Sequence, residues 1–158
     1  MEYSKSLAPH TGKVFESISR LECITPYTLV GGTALSLQIG KRQSEDLDFM
    51  KWVKKRNEKP EVAWPTIMKE METMLRRSKF RDYYDIYSIL KEGKDLQKMI
   101  DAAIEHSGHK LRTRGLLSML TNGRRFIKEK GFEELLPVYD VTPYDIQEYI
   151  KQRLLEIK

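Results

Sequence analysis

One pattern, from residue 27 to residue 50, constrains the fold more than any other part of the chain. Residues 27–30 are apolar or β-branched and stop at Gly31-Gly32, which is typical of a buried strand that enters a tight turn. Residues 33–39 then predict a helix that ends at Gly40. Acidic and apolar side chains alternate over residues 45–50, and this alternation predicts a second strand.

The second strand carries a pair of carboxylates. In an extended conformation Asp46 and Asp48 lie on one face, while Leu47 and Phe49 point toward the core. Two carboxylates on one strand face can hold a divalent magnesium or manganese ion, which in turn can bind a triphosphate. An Asp-x-Asp pair at a strand end is also a common solvated polar feature, so the pair alone decides nothing.

The glycine turn supplies the other half of the pattern. Backbone amides at Gly31 and Gly32 can approach a phosphate closely, and the start of the following helix favours negative charge. The hydroxyl of Thr33 or Ser44 can add a hydrogen bond. A Gly-Gly turn alone is usually only a turn, but its combination with the acidic strand indicates a nucleotide-phosphate site.

The remainder of the chain is predicted to be mostly helical. Residues 51–65 form a basic connection with two prolines, which is the best candidate for an internal linker. We expect helices at residues 12–23, from Pro65 through Leu75, at 82–90, at 96–106, from Leu111 to Leu120 and from Pro143 to Leu154. The predicted class is therefore α+β, with a small sheet flanked by helices and followed by a helical C-terminal part. Residues 1–64 and 65–158 are expected to pack as one domain.

Composition limits the partners and the cellular compartment that we expect for this domain. A chain of 158 residues can bury one ordinary core, and its net charge of +5 permits a phosphate-bearing partner without requiring one. The single cysteine, Cys23, excludes an intramolecular disulfide and indicates a reducing compartment. Because no stretch approaches the ~20 apolar residues of a membrane span, and residues 1–9 lack the apolar core of a signal peptide, we expect a cytoplasmic protein.

Two segments resemble a known family. The run from Leu29 to Phe49, LVGGTALSLQIGKRQSEDLDF, is similar to the first motif of the AbiEii-like abortive-infection toxins. These toxins are minimal nucleotidyltransferases of the DNA polymerase β-type superfamily. A second run, from Arg81 to Leu90, RDYYDIYSIL, resembles the helical motif of the same family.

The resemblance implies transfer of a nucleoside monophosphate from a nucleoside triphosphate to an acceptor hydroxyl, in some members the 3′ end of tRNA. It implies Mg²⁺ or Mn²⁺ as cofactor, a toxin–antitoxin or phage-defence role, and an antitoxin protein as partner. The residues that match the motifs imply a metal site at Asp46 and Asp48, nucleotide contacts at Gly31, Gly32, Thr33 and Ser44, and a further catalytic residue at Asp82. The family also places a catalytic lysine on the helix before the second motif. Lys69 is the nearest candidate for it, and the other basic residues within reach include Arg76, Arg77 and Lys79.

The middle of the chain departs from the family pattern. Family members carry further strands after the Asp-x-Asp strand, one of them with a third carboxylate, but only 30 residues separate Met50 from Arg81 and none forms a convincing acidic strand. Two alternatives therefore stand beside the enzyme: a non-catalytic family member that binds nucleotide, RNA or antitoxin, and a helical interaction protein with an incidental acidic pair. An exposed edge of a small sheet would also suit pairing of two copies in a homodimer.

Tyrosines in the second motif allow two interpretations. Tyr83, Tyr84 and Tyr87 lie near several basic residues, so they could stack on nucleic-acid bases. A helix that packs its tyrosines inward and presents a solvated basic face predicts the same sequence.

Overall fold

A short antiparallel sheet and a set of helices make up the computed structural model, which describes residues 5–51, 71, 73–107 and 110–157. The elements are helix α1 (Pro9–Ser19), strand β1 (Tyr27–Val30), helix α2 (Gly31–Ile39), strand β2 (Asp48–Lys51), and helices α3 (Phe80–Lys91), α4 (Leu96–His106), α5 (Thr113–Leu120) and α6 (Pro143–Leu155). Short 3₁₀ turns occupy Glu22–Ile24, Gly123–Arg125 and Phe132–Leu135, and residues 71 and 73–77 are also helical. The predicted α+β class is confirmed.

The two strands pair in register over four residues. Tyr27 pairs with Lys51 at one end and Val30 with Asp48 at the other. Strand β1 is the predicted one, whereas β2 begins at Asp48 and not at residue 45 as predicted.

The late start of β2 has a local cause. Strand β1 ends where α2 begins, so the residues before Asp48 have no strand partner. Their backbone carbonyls bind side chains instead: Thr11 Oγ1 donates to Glu45 O at 2.8 Å and Thr33 Oγ1 donates to Asp46 O. The predicted alternation nevertheless persists, with Asp46 and Asp48 exposed.

The first two helices also differ from their predicted bounds. Helix α1 covers Pro9–Ser19 in place of residues 12–23, because a proline suits its first turn and the following residues adopt a 3₁₀ turn. Helix α2 includes the glycine pair, since Gly31 takes a positive φ of 74° that permits an immediate change from strand to helix. Gly40 ends α2 in the left-handed conformation, as predicted.

The described core lies mainly in the helical part and surrounds α3. Nearly every residue of α3 is buried, and Tyr83, Tyr84 and Tyr87 all point inward, which confirms the packing interpretation. Tyr83 stacks on Phe126 with ring centroids 4.1 Å apart. Residues from α4, α5, α6 and the turns complete this core, and Leu35 joins it from α2.

The loop after α2 is hydrogen-bonded to the helical part. Gln43 N donates to Leu135 O at 2.6 Å, and Val138 N donates to Lys41 O at 2.8 Å. The Tyr84 hydroxyl donates to Lys41 O at 3.0 Å and accepts from Tyr139 N at 2.9 Å. These bonds fix the loop 41–43 relative to α3. The predicted division at residue 64 lies outside the described residues and stays a prediction.

Candidate nucleotide site

A small polar cleft lies where β1 passes into α2 and where β2 begins. Eight residues line it: Gly32, Thr33, Arg42, Ser44, Asp46, Asp48, Arg77 and Arg81. We call it the acid cleft. Five of the predicted site residues are among them, namely Gly32, Thr33, Ser44, Asp46 and Asp48. The fold therefore brings both carboxylates, one glycine of the turn and both hydroxyls to one place.

The two carboxylates of the cleft are open to solvent. The Asp46 side chain is 69% exposed, and its Oδ2 lies 3.7 Å from Arg81 Nη2. Asp48 Oδ2 lies 3.0 Å from the position that a Cβ on Gly31 would occupy, so Gly31 leaves room for this carboxylate. Exposed carboxylate oxygens on one cleft are the donors that Mg²⁺ prefers. Among the described residues no third His, Cys, Asp or Glu completes a metal-binding group with them.

The two hydroxyls have a structural role in the cleft. Thr33 and Ser44 are buried, and a hydrogen bond of 2.8 Å links Thr33 Oγ1 to Ser44 Oγ. The Ser44 backbone is held in turn, because its N–H donates to Ser6 O at 2.9 Å and its carbonyl accepts from Ala8 N at 3.1 Å. This network joins the start of α2 to the chain that leads into Asp46.

A buried ion pair lies directly behind the glycine turn. Arg42 Nε and Nη2 donate to the two carboxylate oxygens of Asp85 at 2.8 and 2.6 Å, and both side chains are buried. A Cβ on Gly32 would lie 2.8 Å from Arg42 Nη2, so only glycine fits against this guanidinium. Burial raises the pKa of Asp85, and the positive charge of Arg42 opposes that rise.

The second motif contributes Arg81 to the cleft, and its two aspartates bind the other two arginines that line it. Asp82 is buried and accepts from Arg77 Nε and Nη2 at 2.9 and 2.7 Å. Neither Asp82 nor Asp85 lines the acid cleft, whereas Arg77, Arg81 and Arg42 do. The predicted catalytic residue Lys69 lies outside the described residues.

A known protein family matches a segment of the chain that includes part of the acid cleft. Residues 14–63 match the family described as Nucleotidyl transferase AbiEii toxin, Type IV TA system. This part of the chain is similar to the AbiEii nucleotidyltransferase toxin family. No curated protein and no solved structure matches the chain.

The AbiEii match covers the acid cleft in part. It contains β1, α2, the loop 41–43 and both exposed carboxylates, and it ends before the second motif. The resemblance inferred from the first motif is confirmed. Within the part of the chain that the structure describes, no helix is both long and apolar enough to cross a membrane.

The acid cleft combines negative and positive charge. Its lining residues and their ion-pair partners bring four carboxylates and three guanidinium groups close to one another. Arg81 lies beside the exposed carboxylate of Asp46, and Arg77 lines the same cleft. Arg42 was not predicted, although its place two residues before Ser44 was an available signal.

A second cavity adjoins the cleft. It has a volume of about 290 Å³ and shares Gly32, Asp48 and Arg77 with the acid cleft. Gly31 lines this cavity and not the cleft itself, together with apolar surface from Phe49 and Met50. The polar cleft has a volume of about 40 Å³, so most of the open space at this place lies in the partly apolar cavity.

Proposed function

We propose that this chain is a metal-dependent nucleotidyltransferase that acts as the toxin of a toxin–antitoxin system. The observation that carries the proposal is the presence of Asp46 and Asp48 in one cleft with the glycine turn of α2, inside the segment that matches the AbiEii family. A nucleoside triphosphate is the proposed donor. The proposed acceptor is the 3′ hydroxyl of an RNA, such as tRNA, and the proposed setting is the cytoplasm.

The reaction exchanges one phosphorus–oxygen bond for another. The acceptor oxygen bonds to the α-phosphorus, the bond from that phosphorus to the bridging oxygen breaks, and pyrophosphate leaves while the hydroxyl proton is released. Catalysis of this kind depends mainly on positioning and charge neutralisation. A magnesium ion, when bound, would withdraw charge from the phosphates.

The residues of the cleft have separate parts in this proposal. Asp46 and Asp48 would hold the metal, and the backbone amides at the start of α2 would contact phosphate oxygens. Arg81 and Arg77 would stabilise negative charge on the departing pyrophosphate, because both line the same cleft. Arg42 would keep the glycine turn in place through its bond to Asp85.

A non-catalytic binding module is the second candidate. The observation in its favour is that Asp82 and Asp85 are each held by an arginine, which leaves two carboxylates lining the acid cleft among the described residues. Such a module would bind nucleotide, RNA or the antitoxin without transfer.

A transfer assay distinguishes the two candidates. The purified chain is incubated with each α-³²P-labelled nucleoside triphosphate, Mg²⁺ and total tRNA, and the labelled RNA is separated on a gel. We expect label in the RNA from wild type and a loss on the order of 100-fold or more in Asp46→Asn and in Asp48→Asn. Asp140→Asn is the matched control because Asp140 is exposed and lies outside the cleft.

The outcomes of this assay are separable. Equal labelling by wild type and both cleft variants contradicts the assignment of Asp46 and Asp48. Nucleotide binding by calorimetry without any labelled product favours the binding module.

A further inference from the structure

A third cavity lies in the helical part, on residues that the acid cleft does not use. Its volume is about 380 Å³. Three of its lining side chains are apolar, and we refer to them as the apolar floor: Leu75, Ala103 and Leu111. Three others are basic: Arg76, His106 and Lys110. None of the described residues that line it is acidic. We call it the basic groove.

The groove also has a fixed relation to the acid cleft. Arg76 and Arg77 are neighbours on the helical residues 73–77, and they line different cavities: Arg76 the basic groove, Arg77 the acid cleft. One short helical stretch therefore separates the proposed site of transfer from a basic surface.

We infer that the basic groove binds one nucleotide unit of a single-stranded nucleic acid. The volume lies within the about 300 to 1,000 Å³ of small-molecule sites, and the apolar side chains of the lining suit contact with a flat base. The basic side chains of the lining match the phosphates of the same strand. An acidic peptide would match the basic side chains as well, but its carboxylates would not use the apolar part of the lining.

This inference rests on the proposed function in one respect, because the bound strand would be the acceptor of the transfer. Binding itself does not require transfer. The groove and the cleft can therefore be tested independently.

The test measures binding of a fluorescein-labelled chain of ten adenosine ribonucleotides by fluorescence anisotropy at low salt. We expect Arg76→Glu and Lys110→Glu each to weaken binding by about tenfold, because each removes a phosphate contact and adds repulsion. Lys98→Glu is the matched control, since Lys98 is exposed on α4 and lies outside the groove. A labelled chain of the same length without bases tests the apolar floor, and we expect it to bind more weakly.

Three results would overturn the inference. The first is equal weakening by the Lys98 control and the groove variants, which indicates only general charge attraction. The second is undiminished binding of the chain without bases. The third is tighter binding of a labelled peptide of ten glutamates than of the RNA, with the same dependence on Lys110.

The Asp46→Asn variant separates this inference from the proposed function. We expect it to bind the adenosine chain as wild type does while it loses transfer. Absence of transfer with groove-dependent binding contradicts the proposed function alone, and transfer without groove-dependent binding contradicts the inference alone.

Discussion

Gly31 and Gly115 are both glycines within helices, yet substitution should affect them in opposite ways. Gly31 has a φ of 74°, and an added Cβ would lie 3.0 Å from Asp48 Oδ2. Gly115 lies in α5 with no atom within 4 Å of an added Cβ. We expect Gly31→Ala to lower the free energy of unfolding by about 1–2 kcal/mol. Gly115→Ala should raise it by up to about 1 kcal/mol.

Urea denaturation followed by circular dichroism measures both changes. Gly115→Ala serves as the control for the effect of an added methyl group on an exposed helix. Equal stability of Gly31→Ala and wild type would contradict the structural requirement for glycine at the start of α2.

At the residue scale, the sequence predicted which polar side chains share the cleft better than it predicted the contacts that hold them. Asp46, Asp48 and Ser44 were predicted to lie together because their types and spacing follow from one strand and one turn. Arg42 was missed because its partner, Asp85, lies 43 positions away and is brought close only by the packing of α3. The sequence pattern also suggested Asp82 as an active-site acid, but it does not reveal that Arg77 holds both oxygens of that carboxylate.

At the scale of elements, helix α6 tests how much a capping motif in the sequence contributes to the stability of a helix. Thr142 Oγ1 accepts from Asp145 N at 3.2 Å, and Asp145 Oδ2 accepts from Thr142 N at 2.8 Å, which completes a capping box. We expect Thr142→Ala to lower the free energy of unfolding by about 1 kcal/mol at neutral pH. Thr113→Ala is the control, because Thr113 begins α5 and the cap of that helix has no side-chain hydrogen bond.

The same cap predicts a dependence on pH. Hydrogen bonds from Thr142 lower the pKa of Asp145 below its usual 3.8. A carboxyl with a lowered pKa in the folded state stabilises the fold above its usual pKa, and this contribution is lost as the pH falls through the folded value. The difference between wild type and Thr142→Ala should therefore be constant from pH 7 to pH 5 and shrink below pH 3.8. A difference that grows with acidity would contradict this assignment of the cap.

The sequence predicts best those elements whose ends are set by neighbouring residues, such as a helix cap. The bounds of α4 follow from the cap residue Asp95, whose Oδ1 accepts from Lys98 N at 2.9 Å. The start of β2 is different, because it depends on where β1 ends and on side chains from Thr11 and Thr33 that occupy the preceding carbonyls. No pattern within residues 45–50 contains that information.

At the scale of the whole molecule, the small sheet depends on the helical part. Of the described core cluster, only Leu35 and the half-buried Ile39 come from the region before residue 51. The loop 41–43 is held by Asp85, Tyr84 and the backbone of residues 135–138. Among the described residues before 51, the buried apolar side chains outside this cluster are Leu7, Val30 and Ala34. We infer that the α2–β2 region is stabilised to a large extent by its contacts with the helical part.

This dependence predicts cooperative unfolding of α2 with α3. Native-state hydrogen exchange, read by mass spectrometry at rising urea concentrations, should show peptides of both helices losing protection together with global unfolding. Helix α1 should lose protection earlier, because Thr11 is its only buried residue. Asp85→Asn should remove this coupling, since it weakens the bond to Arg42, and peptides of α2 should then exchange before those of α3. If α2 exchanges before α3 in the wild type, the helical part stays folded without α2, and the ion pair between Arg42 and Asp85 does not couple the unfolding of the two helices.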